Sequence, residues 1–162
     1  MKKTLIALME DKPGVLDRVA SLFRRRNFNI ESLSVGHSET PGISRMTLVV
    51  DCQDEAQEEQ VVKQFHKLIE VLKVTEADKV DSALYRELAL IKVAANLDTR
   101  SHIIQLVDVF RAQVLDVSPT SMTIEVTGTE DKVDALVELL RPFGIKELAR
   151  TGRVAMLRGN GK

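Results

Sequence analysis

Thr4 to Met9 is a short unbroken apolar run bounded by charge, which predicts a buried strand. From Val15 to Arg26 the period changes. Val15, Leu16, Val19, Ala20, Leu22 and Phe23 fall on one broad helical face, with Asp17, Arg18, Ser21 and Arg24 largely opposite. Arg24-Arg25-Arg26 complement the negative end of that helix, and Asn27 stands where a left-handed terminating residue is expected. Asn29 to Val35 reads as a second strand through Ile30, Leu33 and Val35, and Gly36 to Gly42 as a loop. A third strand, Arg45 to Cys52, alternates Met46, Leu48 and Val50 with Thr47 and Val49. Asp54 opens a second helix with Gln57 placed as in a capping box, and Val61, Val62, Phe65, Leu68 and Ile69 form its apolar face. Val71 to Val74 is a short closing strand.

The same order then returns. Glu87 to Ala95 is a strand, and Asp98 is placed to cap a helix that buries Ile103, Leu106, Val107 and Phe110. Strands follow at Ala112 to Val117 and Met122 to Val126, and Thr129 caps a helix bearing Val133, Leu136, Val137 and Leu140. Pro142-Phe143-Gly144 ends it, extended chain fills Ile145 to Leu157, and the tail from Arg158 to Lys162 reads as disordered. The implied fold class is α+β, two ferredoxin-like βαββαβ domains at residues 1–77 and 85–162 with a polar linker at 78–84. One helical layer covers one face of each sheet. The other face of the first, with Thr4, Ile6, Leu48 and Val50 or their alternates, needs a cover or a partner.

Composition narrows the function. Charge is balanced, 23 basic against 24 acidic residues, and aromatics are 4%. There is no electrostatic footprint for nucleic acid or an anionic membrane, and no set of stacking platforms. One cysteine, Cys52, excludes an internal disulfide framework and a Cys-rich metal site and suits a reducing cytoplasm. No apolar run approaches the roughly 20 residues that span a bilayer, and the N-terminus lacks the pattern of a signal peptide. Nucleophile-elbow and phosphate-loop motifs are absent, and His37, His66 and His102 fit no metal-ligand spacing. Binding or regulation is the better reading than catalysis.

The segment Asp11-Lys12-Pro13-Gly14-Val15-Leu16 joins the first strand to the first helix. Asp11 is placed to cap the helix, Pro13 suits its first turn, and Gly14 lets a small ligand approach the backbone. Free N–H groups at a helix start attract anions, including the carboxylate of an amino acid.

With these elements placed, the sequence resembles the regulatory small subunits of acetolactate synthase. The resemblance rests on Asp11 to Leu16, Asn29-Ile30-Glu31-Ser32-Leu33, Ser44-Arg45-Met46-Thr47, Lys67 to Val74, Arg86-Glu87-Leu88, Phe110-Arg111-Ala112 and Asp116-Val117-Ser118-Pro119. It implies that residues 1–77 are an ACT domain that pairs with a second copy and holds a branched-chain amino acid, usually valine, at the shared interface. It implies ligand positions at Asp11, Gly14, Val15 and Leu16 of one subunit, with Asn29 and Ile30 of the other, and no catalytic or metal residues. It further implies a catalytic large subunit as partner, which carries thiamine diphosphate, FAD and Mg²⁺ and condenses two pyruvates, or pyruvate with 2-oxobutyrate. Some relatives have Asn where this chain has Asp11, and Gly where it has Asn27. The competing expectation is a stand-alone ACT-type amino-acid sensor or co-regulator.

Overall fold

The computed structural model describes residues 1–159; the expected disorder at Asn160, Gly161 and Lys162 lies outside them. The strands and helices follow in the expected order: β1 (Lys2–Glu10), α1 (Val15–Arg25), β2 (Asn29–His37), β3 (Ile43–Asp51), α2 (Glu55–His66), β4 (Val71–Glu76), β5 (Ala83–Ala94), α3 (Arg100–Val109), β6 (Gln113–Val117), β7 (Ser121–Gly128), α4 (Glu130–Leu140), β8 (Ile145–Arg150) and β9 (Val154–Leu157). Two compact units result. One is Met1–Leu84 together with the described residues from Arg153 on, and the other is Tyr85–Gly152. The polar stretch read as a linker contains a single 3-10 turn, Ala77–Lys79.

In the first unit the antiparallel sheet runs β2-β3-β1-β4, the strand order of a ferredoxin-like fold. Leu5 pairs with Leu48 and Ala7 with Met46, and these side chains face α1 and α2. Phe23 meets Phe28 and Phe65 edge-on at centroid distances of 5.9 and 5.4 Å, joining both helices to the core. Asp54 caps α2 by accepting from Gln57 N at 2.8 Å, and Gln57 Oε1 accepts from Gln53 N at 2.6 Å.

The opposite face carries Thr4 with Val49 and Ile6 with Thr47. Leu48 and Val50, grouped with Thr4 and Ile6 in the sequence reading, instead belong to the core, because paired residues on adjacent strands point the same way. The open face is covered from within the unit by β9. Ala155 N donates to Thr47 Oγ1 (3.4 Å), Ala155 O accepts from Arg45 Nη2 (2.9 Å), and Arg153 Nη1 donates to Thr4 Oγ1 (3.0 Å). Arg158, expected in a disordered tail, donates its N–H to Ser82 O at 2.8 Å. The described residues from Arg153 to Gly159 therefore group with the first unit, and β9 also pairs with β5.

The second unit repeats the plan, with sheet order β6-β7-β5-β8 and a core of Ile91, Val93, Ile103, Met122, Ile124 and Leu136. Even the irregularities repeat. The register shifts between Ile30 and Ser32 in β2 and between Val114 and Asp116 in β6, and again between Leu8 and Met9 in β1 and between Lys92 and Val93 in β5. Asn27 and Arg111, each just after the first helix of its half, both adopt positive φ, 57° and 53°.

Candidate functional site

The turn from β1 into α1 is built by Pro13 and Gly14. Val15 N lies 3.4 Å from Lys12 O, and Gly14 has φ 85° and ψ −8°, the second central position of a type II turn with proline at the first. That conformation is why a glycine stands here. Gly14 occupies the N-cap position of α1, and no side chain caps the helix. Val15 N–H closes the turn onto Lys12 O, and the next N–H groups, of Leu16 and Asp17, have no side-chain cap. The assignment of the cap to Asp11, and of Pro13 to the first helical turn, is corrected by this geometry: the type II turn separates Asp11 from the helix. Its N–H donates to Gly42 O at 2.9 Å, and its carboxylate lies 3.2 Å from His37 Nδ1 at the end of β2.

Arg18 supplies a cation that sequence reasoning did not assign to the site. Its guanidinium folds back over the turn, so that a Cβ placed on Gly14 would lie 3.3 Å from Nη1. Arg18 Nη2 is 2.5 Å from Glu70 Oε1, while Glu70 O accepts from Glu10 N at 2.9 Å. The α2–β4 loop is thus tied to the turn by both backbone and side chain. Lys12 pairs with Glu10 at 2.8 Å, which raises the lysine above its ordinary value. The one signal for Arg18 in the sequence is its place four residues after Gly14, on the same helical face.

Asp11, Gly14, Val15 and Leu16 come together in this turn. Val15 is 4% exposed and points into the core, so it offers only backbone, whereas Leu16 is about half exposed. Asn29 and Ile30 lie elsewhere. Asn29 pairs with Asp51, which in turn pairs with Lys2, at the end of the sheet away from Glu10. Eight strand residues separate the two ends, roughly 25 Å. The Asn29 amide donates to Glu31 Oε1 at 2.9 Å, and Ile30 packs half-buried against the core. A single chain does not unite the six positions. The outer edge strand β2 links the two groups, however, with Asn29 and Ile30 at one end and His37, in contact with Asp11, at the other.

The remaining chemistry is sparse. Among the described residues no group of three His, Cys, Asp or Glu could hold a metal ion, and no helix is long and apolar enough to cross a membrane. Cys52 is buried, and burial pushes its thiol up, away from the reactive thiolate.

Residues 5–73 match the family model of the AHAS small subunit-like ACT domain, and residues 86–159 match that of the small subunit of acetolactate synthase. A probable acetolactate synthase small subunit of Archaeoglobus fulgidus is 57% identical over the whole of both chains. The acetolactate synthase small subunit of Bacillus subtilis is 48% identical over 98% of this chain and 92% of its own. The crystal structure of the acetolactate synthase small subunit from Thermotoga maritima superposes with a TM-score of 0.91 at 45% identity, covering 99% of each chain. With both halves matched and such identity along the full length, the chain belongs to the acetolactate synthase small-subunit family.

Proposed function

We propose that this chain is the regulatory subunit of a two-component, cytoplasmic acetolactate synthase. It activates a separate catalytic large subunit and confers feedback inhibition by valine. The observation that carries the reading is the uncapped start of α1 at Gly14, in a chain whose family has an ACT domain at that place. The uncapped N–H groups of Leu16 and Asp17 beyond Gly14 suit the carboxylate of an amino acid, and the half-exposed Leu16 suits a branched side chain.

The separation of Asn29 from Gly14 fits a dimer. Two copies joined antiparallel along β2 would bring Asn29 and Ile30 of one to the His37 end of the other, beside its Asp11 and Gly14. Such a twofold contact also covers an otherwise open sheet edge. Asn29 can then give its amide oxygen to the ligand ammonium, or its N–H to the carboxylate. Asp11, held by His37, adds negative charge on the ammonium side.

Regulation follows as a population shift. Valine favours one dimer arrangement, and its inhibition can be no larger than its differential affinity for the two. The large subunit would supply thiamine diphosphate, FAD and Mg²⁺, and this chain supplies no reacting group.

The test is acetolactate formation by the reconstituted pair with and without valine, leucine or isoleucine. The chain alone is expected to be inactive, to raise the rate of the large subunit, and to make that rate fall with valine. A large subunit indifferent to the chain would overturn the reading. Asn29→His should remove valine binding in calorimetry while leaving activation in place.

A further inference from the structure

The open face of the first sheet holds a cavity of about 330 Å³ beneath β9. Register explains its polarity. Arg45, Leu8 and Lys73 form one row across β3, β1 and β4, and Thr47, Ile6 and Thr75 form the next. At a strand spacing near 4.8 Å, Arg45 and Lys73 flank Leu8 with roughly 10 Å between their backbones. Ile6 and Leu8 make an apolar floor, and Met156 and Leu157 of β9 make an apolar roof. Thr75 adds a hydroxyl to the wall, and Glu39 stands at the exposed rim.

Two features of this cavity call for an anion. Arg45 spends Nη2 on Ala155 O, but its Nε is buried and donates to no protein acceptor. A buried charged donor left without an acceptor costs more than a neutral one, so the site favours any ligand that supplies the acceptor. Lys73 contributes a second cation, and no carboxylate among the described residues pairs with it. Hydrocarbon lies between and above the two charges. The volume falls in the range of small-molecule sites, roughly 300–1,000 Å³.

We propose that this cavity is a second ligand site, separate from the Gly14 turn, and that it takes a small aliphatic carboxylate. The carboxylate sits between Arg45 Nε and the Lys73 ammonium, and the hydrocarbon chain lies against Ile6, Leu8, Met156 and Leu157. An amino acid and the corresponding 2-oxo acid share this chemistry. Glu39 separates them, because it attracts an ammonium and gives nothing to a keto group. Occupancy would press on β9, the element that closes this face.

The experiment titrates the full chain with L-valine and, separately, with 3-methyl-2-oxobutanoate by calorimetry. It uses the native protein, Gly14→Asp, Lys73→Met and Arg45→Lys, with the unfolding midpoint of each variant measured alongside. Lys73 is exposed, so its substitution should leave the midpoint unchanged. At least one probe is expected to bind the Gly14→Asp chain and to weaken about tenfold or more when Lys73→Met or Arg45→Lys is added. Which probe does so identifies the source of the ligand. If neither probe binds the Gly14→Asp chain, or if binding there is indifferent to both substitutions, the proposal is wrong. An error in the reading of the Gly14 turn would appear differently, as a native titration that Gly14→Asp leaves unaltered.

Discussion

At the end of β1 the chain enters α1 through Pro13 and Gly14 with no side-chain cap, whereas the equivalent turn after β5 is closed by its own side chains. There Asn96 Oδ1 accepts from Asp98 N (2.9 Å) and Thr99 N (3.0 Å), and Thr99 Oγ1 accepts from Asn96 N (3.0 Å). Counted from the matching register shifts, Asp98 stands where Gly14 does. The two halves share strand order, bulges and helix terminations. They differ in how this one turn is closed, by backbone carbonyls around Pro13 and Gly14 in the first half and by the side chains of Asn96 and Thr99 in the second, while neither α1 nor α3 carries a side-chain cap bond. A duplicated scaffold thus keeps its packing in both copies while the turn into the first helix is rebuilt.

The largest expected effect is on the open turn. Gly14→Asp adds a charge where the ligand carboxylate is proposed to sit. It should weaken the valine response of the reconstituted enzyme at least about 100-fold, near 3 kcal/mol, with activation of the large subunit retained. The new Cβ meets the end of the Arg18 side chain, which can move, but the positive φ adds about 1–2 kcal/mol of strain. The folded fraction should therefore be measured as well. Asn96→Ala opens the equivalent turn in the other half. It is expected to cost about 1 kcal/mol in denaturant unfolding and to leave valine sensitivity unchanged. A change in valine response there would remove the contrast between the two turns.

Between these two effects lies Lys3→Met. Glu58 on α2 is 2% exposed, and its carboxylate lies 3.0 Å from Lys3 Nζ. Loss of the lysine leaves a buried charge unpaired, at roughly 3 kcal/mol. The second half answers with a more solvated cluster, in which Arg150 bridges Glu87 (2.5 Å) and the half-exposed Asp134 (2.6 Å). Asp134→Asn should accordingly cost under about 1 kcal/mol. The Glu58 carboxylate beside Lys3 raises it above its ordinary value of 10.5. A raised lysine stabilises the fold fully below that value and progressively less as pH climbs through the folded one. Native stability should therefore fall on going above pH 10.5, and the Lys3→Met chain should lack that part of the slope.

The halves also mark where sequence reasoning succeeds. Periodicity placed β1 to β8 and the helices α1 to α4, because apolar spacing is a local property. What it missed depends on a partner. Ile30 and Leu33 are three apart, an odd step for one face of a strand, and both reach the core because the register shifts at Glu31. The caps assigned to Asp11 and Asp98 are not made, because the choice among nearby polar residues rests on turn geometry: Gly14 takes the N-cap position of α1 without a side-chain bond, and Asn96 closes the turn ahead of α3. Arg18 was read as a solvated helix residue, and only the fold lays it across Gly14. The separation of Asn29 from Gly14 follows from strand register, which no local pattern contains. The roof over Ile6 and Leu8 comes from the far end of the chain.

The smallest effect tests how alike the halves are in backbone strain. Asn27 and Arg111 both hold the left-handed conformation after their helices, at φ 57° and 53°. Asparagine tolerates this region through local hydrogen bonding, but arginine has no such compensation. Arg111→Gly removes the Cβ clash at the cost of a more flexible unfolded chain, so the net gain should be about 0.5–1 kcal/mol. Asn27→Gly should gain less, at most a few tenths of a kcal/mol, since the residue it replaces already suits the site. Denaturant unfolding of the two variants side by side reads the difference. Equal gains would mean that the left-handed position costs both residues alike and that the second half carries no extra strain. A larger gain at Arg111 would place that strain in the half whose turn ahead of the helix is closed by Asn96, and would mean that this copy has not been relieved at its helix end.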